Sequence, residues 1–393
     1  MLTDPVVRDW TGWRGAERNG RVSWLPPTLA AEPSRVWERP LLHSGLGGIA
    51  ATSECVIFGD RDADDFHDVF RCLDAQTGET VWEVTSLAIG RLDYGNSPRT
   101  TPLILGDRVI CLGAFGNLLC VERASGNVLW EKSFSIDFPI EGDLPWGYCG
   151  SPLSANGHII LSPGSPKASL IAVDPADGQV VWTTSGNQPG YGSLITAAFG
   201  ERSVVIGHDA SSLSVWNASD GQRLWTLSPE TPGDFNVPTP VLAAGNRLLV
   251  TTENNGTRLY PLTADGRPAP SGPQVNRKLR PDMSSPVVVG NLVYCVDKFL
   301  YCLDLNDNLR ELWRMRDSVL SDYAALIASD DRLLVVGDGT LLLLKTDGTQ
   351  QVVSRQQVFE QKLPIYSHPA LVGRHLYIRG EHSIVCVSLS TAQ

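Results

Sequence analysis

The chain has 393 residues, 42% of them hydrophobic, with 37 glycines, 26 prolines and a formal net charge of −11. That charge argues against a nucleic-acid partner, whose phosphates need a basic stripe, and against anionic membrane surfaces. No apolar run approaches the roughly 18 residues of a membrane-spanning helix, and no 3.6-residue apolar pattern runs far without Gly or Pro, so neither transmembrane nor long soluble helices are expected.

In chain order, residues 1–34 are the least regular and are read as a leader preceding a single domain at 35–393. Residues 1–8 contain no seven-residue apolar stretch, so they do not resemble a secretory signal. A cytoplasmic location is expected on that ground, with the periplasm or cell envelope as the alternative if a signal has been removed. Trp10, Trp13 and Arg14 are expected to staple the side of the domain, the alternative being that they plug an opening in it. Residues 35–39 (RVWER) read as a strand carrying a tryptophan.

From residue 73 one pattern recurs: LDAQTGETVW at 73–82, VERASGNVLW at 121–130, VDPADGQVVW at 173–182 and, one residue longer, VWNASDGQRLW at 215–225. Each copy is a strand, a tight turn closed by Gly78, Gly126, Gly178 or Gly221, and a second strand with an aromatic four residues after the glycine. Only glycine enters the positive-φ region of such a turn without steric cost. Residues 304–313 keep the tryptophan but have Asn308 in the glycine place, while 261–267 and 344–349 keep the turn and lose the tryptophan. Trp82, Trp130, Trp182 and Trp225 are 48, 52 and 43 residues apart, the period of a four-stranded propeller blade.

Small or proline-containing lead-ins at 46–49, 97–103, 150–153, 192–194, 238–241, 284–287, 323–326 and 367–371 mark eight unit starts. The last unit has no turn-and-tryptophan strand, and residues 35–39 have no unit before them. The expected fold is therefore all-β: an eight-bladed β-propeller of four-stranded antiparallel blades, in which the N-terminal strand completes the C-terminal blade. Closure of this kind removes free sheet edges. Trp37, Trp82, Trp130, Trp182, Trp225 and Trp313 share one repeat position and are expected to wedge between blades, leaving Trp146 and Trp216 free for other roles.

Two features suggest local chemistry. Asp60, Asp62 and Asp64 alternate like the first half of a calcium loop, although the glycine and the distal glutamate of such a loop are missing, and a solvated acidic hairpin is the alternative. If residues 115–116 and 298–299 are two-residue turns, Cys111 faces Cys120 and Cys295 faces Cys302, close enough for disulfides; the alternative is that all four pack as small apolar side chains.

Propellers bind at the mouth where their innermost strands begin. Residues just before those strands, Tyr94, Asn96, Arg99, Trp146, Tyr148, Tyr191, Asn236, Asp282, Tyr323, Tyr366 and His368, form a candidate rim of aromatics and single polar groups. Such a rim suits a planar ligand or a peptide, although tyrosines there can also simply seal the channel.

The D-x-x-[ST/D]-G-x-x-x-W repeats resemble the PQQ-like eight-bladed propellers, a group that includes quinoprotein alcohol dehydrogenases and the BamB-type lipoproteins of outer-membrane barrel assembly. Residues 9–20, DWTGWRGAERNG, are similar to the W-x-x-[FW]-R-G-x-x-R-[DN]-G leader of many bacterial members. The likeness spans nearly the whole chain. It is specific for fold, and a fold that hosts both enzymes and scaffolds does not choose between them. Quinoproteins of the group hold their cofactor with a tryptophan platform, an arginine, a calcium with Glu and Asn ligands and, commonly, two adjacent cysteines. Here no cysteines are adjacent, and only Arg99 and Trp146 are candidates for such roles. The reading is a monomeric, non-catalytic scaffold without a cofactor, binding a protein or peptide at its mouth. A PQQ- and calcium-dependent oxidoreductase and a carbohydrate-binding module are the alternatives.

Overall fold

A computed structural model of the protein describes residues 6–321, 323–360 and 363–389; residues 1–5 of the leader lie outside them. Among the described residues, thirty-two strands form eight four-stranded sheets. Blade 1 comprises Ala50–Ala51, Cys55–Arg61, His67–Asp74 and Thr80–Leu87. Blade 2 comprises Leu103–Leu105, Arg108–Leu112, Asn117–Glu122 and Val128–Ser133. Blades 3 to 7 open with Leu153–Ala155, Ile195–Phe199, Val241–Ala243, Val287–Val289 and Ala325–Ala328. Blade 8 consists of Ala370–Val372, His375–Arg379 and Ser383–Ser388, with Ser34–Pro40 pairing antiparallel on the last of these as the outer strand.

The repeated turn does two jobs. In blade 2, Gly126 adopts φ +75°, and its missing Cβ leaves room for the indole of Trp82 from blade 1, which an added Cβ would meet at 2.8 Å. The Trp82 indole N–H donates to the Arg123 carbonyl of the same turn at 2.8 Å. The motif recurs around the ring. Trp37 donates to Ala75 O, Trp130 to Pro175 O, Trp182 to Ala218 O, Trp225 to Gly266 O and Trp313 to Gly348 O, each in the next blade. At four seams, Trp37 with Gly78, Trp82 with Gly126, Trp130 with Gly178 and Trp182 with Gly221, one residue pair thus supplies the turn, a hydrogen bond and the interblade wedge. The core lies between blades: Phe70, Cys72 and Trp82 pack with Val109, Cys111 and Val121.

The serine and threonine lead-ins also bind across blades. Ser151 Oγ accepts from Thr101 N at 2.9 Å, Ser193 Oγ from Ser151 N at 3.1 Å and Ser285 Oγ from Thr239 N at 2.9 Å. These bonds satisfy backbone N–H groups at the inner rim that no sheet ladder reaches.

Both disulfide expectations fail by one residue of register. Cys120 pairs with Ile110 and Cys111 with Leu119, because the hairpin turns over residues 113–117 rather than over two. Cys302 pairs with Tyr294, and Cys295 with Tyr301. A one-residue slip puts side chains on opposite faces of a sheet. Cys111 accordingly packs toward blade 1 and Cys120 toward blade 3, and all eight cysteines are free thiols. Trp216 has no spare role either: it is 1% exposed in the core between blades 3 and 4, under the guanidinium of Arg223.

The leader departs furthest from expectation. Instead of stapling the closing blade from outside, it threads the central channel. Val7 lies beside Gly373, in the hairpin at the far end of blade 8's innermost strand. Trp10 then pairs with Ala51 by reciprocal backbone bonds of 2.8 and 2.9 Å, and the Thr11 carbonyl accepts from Ile104 N. Trp13 Nε1 donates to Thr239 Oγ1 in blade 5, Arg14 to Pro286 O in blade 6 and Arg18 to Pro152 O in blade 3. The chain leaves along blade 7, where Gly20 and Val22 bracket Ala328. Arg332 and Gln356 then bind the carbonyls of Pro27, Ala30 and Glu32 and guide it outward to blade 8.

Candidate functional site

The loops that join one blade's outer strand to the next blade's innermost strand build the open mouth. In the loop after blade 1, Tyr94 has φ +65° and is 79% exposed. Asn96 fixes that loop by accepting from Leu92 N at 3.0 Å and donating to Asp65 at 2.7 Å. Arg99 lies beneath, donating through Nη2 to the carbonyls of Asp93 and Gly95 at 2.6 and 2.7 Å, and burial lowers its pKa. Asp93 N donates to Pro145 O at 2.9 Å, which ties this loop to the one carrying Trp146.

Trp146 is the centre of an aromatic group. The Tyr94, Tyr191 and Phe235 rings lie 6.4, 4.7 and 4.5 Å from its ring, tilted by 57°, 50° and 49°. Four loops, after blades 1, 2, 3 and 4, each contribute one ring. Phe235 is 49% exposed and was not among the residues picked from the sequence. Its signal was present, one position before Asn236, but nothing in the local pattern says which of two neighbours faces the mouth.

Beside Phe235 the mouth turns acidic. Phe235 N donates to Glu253 Oε1 at 2.5 Å. Burial raises the pKa of Glu253, with Asp234 and Asp282 adding like-charge repulsion. Asp297 is raised in the same way, by burial first and by Asp282 in addition. Arg280 partly offsets this, donating its backbone N–H to Asp297 at 3.1 Å and its Nε to Glu253 O at 2.6 Å.

The other rim candidates are placed elsewhere. Tyr148 is buried against Phe134, with its hydroxyl donating to Pro163 O at 3.2 Å. Asn236 is buried at φ +57° and donates to Asp209 O at 3.1 Å, so it shapes its loop. Tyr323 is buried in the blade 7 and 8 core. His368 is buried against the leader, 5.2 Å from the Trp13 ring and 6.0 Å from that of Trp10. Sequence position put all four at the start of an inner strand; the channel plug and loop packing turned them inward. Tyr366 is 39% exposed on the loop before blade 8, outside the aromatic group.

Asp60, Asp62 and Asp64 do not converge as the calcium reading expected. The strand ends at Arg61, so Asp60 stays on the sheet while Asp62 and Asp64 fall in the hairpin turn before His67. Asp60 is buried and bridges Arg379 of blade 8 at 2.8 Å and Arg71 at 3.2 Å, so it locks the ring where it closes. Asp62 accepts from Phe66 N, His67 N and His67 Nδ1 at 2.8, 2.9 and 2.8 Å, and these bonds, chiefly those from His67, hold its pKa down to about 2. Asp64 is exposed on the hairpin tip. Among the described residues no three His, Cys, Asp or Glu side chains are arranged around one cation position. Trp10, Trp13, Arg14 and Arg18 of the leader lie along the channel axis, bonded to the innermost strands and their lead-ins.

Among curated proteins none matches the sequence significantly. Solved structures match the fold. BamB from Moraxella catarrhalis superposes with a TM-score of 0.62 at 15% identity, over 91% of this chain and 99% of that one. Quinohemoprotein alcohol dehydrogenase from Comamonas testosteroni superposes with a TM-score of 0.69 at 13% identity, over 98% and 81%. The enzyme ADHIIG of the same type from Pseudomonas putida HK5 gives 0.68 at 11% identity, over 98% and 81%. Identities this low speak for the fold alone. The sequence family described as outer membrane protein assembly factor BamB matches residues 65–314. Blade architecture, repeat motif and that match together place the chain in the BamB-like family of PQQ-type β-propellers.

Proposed function

We propose that the protein is a non-catalytic scaffold that holds an extended peptide segment of a protein partner at its mouth. The observation that carries this reading is the aromatic group around Trp146, four rings from four loops with Tyr94 and Phe235 largely open to solvent. Rigid aromatics supply large contact area at small cost in side-chain entropy, and they dominate interface energetics. Glu253 bonds the Phe235 backbone, and the exposed Asp282 lies near enough to act on Glu253 and Asp297, so a segment carrying Lys or Arg would gain ion pairing beside the cation–π contact. The family's description as an assembly factor supports binding over catalysis.

The test is selection of peptides on the immobilised protein, followed by calorimetry of those enriched. Basic, aromatic-containing peptides are expected, with Trp146→Ala weakening them about 30-fold, the ~2 kcal/mol of a hot-spot aromatic. Peptides that bind the variant equally well, or tight calcium-dependent binding of pyrroloquinoline quinone instead, would overturn the proposal.

A further inference from the structure

The channel plug brings two positive charges to the axis of the ring without bringing their counter-charge. Arg14 is 1% exposed and Arg18 is 5% exposed. Their partners are neutral carbonyls: Arg14 Nη2 donates to Pro286 O at 2.6 Å and Asn19 O at 3.2 Å, and Arg18 donates to Pro152 O at 2.8 Å and Ser151 O at 3.1 Å. Among the described residues no carboxylate pairs with either. Each guanidinium is desolvated, and Arg14 further repels Arg18. Burial lowers their pKa values only to about 10 and 9, so both remain cationic at neutral pH. An unpaired buried charge costs several kcal/mol, and native structures rarely leave one uncompensated.

Unused donors accompany these charges. Arg14 Nη1 and Arg18 Nε are buried with no acceptor, and so is the Thr101 hydroxyl. One network of contacts joins the three residues. Arg18 binds the carbonyl of Ser151, whose hydroxyl accepts from Thr101 N. Thr101 and His368 flank Gly48, and His368 feels the charge of Arg14. His368 brings no compensating charge: burial, and after it the charge of Arg14, keeps it neutral, and its Nδ1 is turned on Pro369 O.

We propose that the plugged channel binds one small monovalent anion of about the size of chloride between the guanidinium groups of Arg14 and Arg18, with the Thr101 hydroxyl as a third donor. The anion supplies the missing counter-charge and an acceptor for the three orphaned donors, and it fastens the leader to blades 2, 3 and 6. The source of the anion is the solvent, and no partner is required.

The experiment is thermal unfolding of the full chain in sodium gluconate, with chloride or bromide replacing gluconate at constant ionic strength. A saturable rise of the midpoint by a few degrees is expected, together with a bromide anomalous peak against Arg14 and Arg18 in crystals. Thr101→Val removes one donor at nearly constant volume and should shift the half-saturating halide concentration upward by roughly tenfold, the usual effect of one hydrogen bond to a charged group. Arg18→Met should abolish the halide response; the valine variant remains informative if the methionine variant does not fold. A midpoint that is the same in gluconate and chloride, a halide response that survives intact in both variants, or density for water alone between the two guanidiniums would overturn the proposal.

Discussion

Trp82 and Gly126 offer a direct test of the claim that the glycine–tryptophan pair holds neighbouring blades together. Trp82→Ala removes a 6% exposed indole from the core between blades 1 and 2 and the donor to Arg123 O. Large-to-small core changes of this type cost about 3–5 kcal/mol. Gly126→Ala acts differently. Its φ of +75° costs an alanine about 1–2 kcal/mol, and the new Cβ, 2.8 Å from the indole, adds about 1–3 kcal/mol of overpacking. In the double variant the indole is gone and the overpacking disappears, while the backbone cost stays. The two substitutions should therefore be less than additive, by about 1–3 kcal/mol. Urea unfolding followed by far-ultraviolet circular dichroism measures all three variants, since that signal does not depend on the deleted chromophore. Trp82→Phe keeps most of the apolar surface and replaces Trp82→Ala if the latter fails to fold. Strict additivity would refute the packing argument and leave the glycine as a turn residue alone.

Further expectations concern charge, protons and thiols. Arg379→Met leaves Asp60, which is fully buried, with only the longer contact to Arg71, and should destabilise the protein by about 3–5 kcal/mol, with Asp60→Asn, Arg379→Met recovering part of the loss in a double-mutant cycle. If Arg379→Met leaves the urea midpoint unchanged, the pair does not secure the ring closure. His208 and His368 are buried and held neutral, their pKa values lowered to about 3, chiefly by desolvation. Their unfolded forms take up protons below pH 6.5 while the folded forms do not. Stability is therefore complete above pH 6.5 and falls as pH drops toward 3, by about 2 kcal/mol per histidine at pH 5. His208→Gln should flatten this acid limb of the stability profile, and an unchanged slope would count against it. Because Cys111 and Cys120 face opposite sides of blade 2, adding a reductant should leave the melting midpoint where it is; a drop would mean that the register is wrong.

The sequence alone determined the blade count, the position of every inner strand and the circular closure. These features repeat a local rule: a glycine that must turn with positive φ, a tryptophan four residues later, and a small hydroxyl-bearing lead-in. Each such rule acts within about ten residues and recurs, whole or in part, around the ring, so even the faded copies at Asn308 and Gly348 could be aligned. Hairpin register was less legible, because a turn of three or more residues and one of two look alike in sequence yet throw Cys111 and Cys120 to opposite faces. The rim was legible in part. Tyr94, Trp146 and Tyr191 do meet, but Tyr148, Asn236, Tyr323 and His368, from equivalent positions, turn inward, and Phe235 takes its place beside Trp146 unannounced. Only the tertiary structure decided the path of the leader. Its arginines and tryptophans bind carbonyls and hydroxyls from blades that lie up to 272 residues away in the chain. Partners at that distance leave no periodic trace in the leader itself, and whether Trp10, Trp13, Arg14 and Arg18 fill a channel or staple a flank depends on a cavity that exists only once the ring has closed.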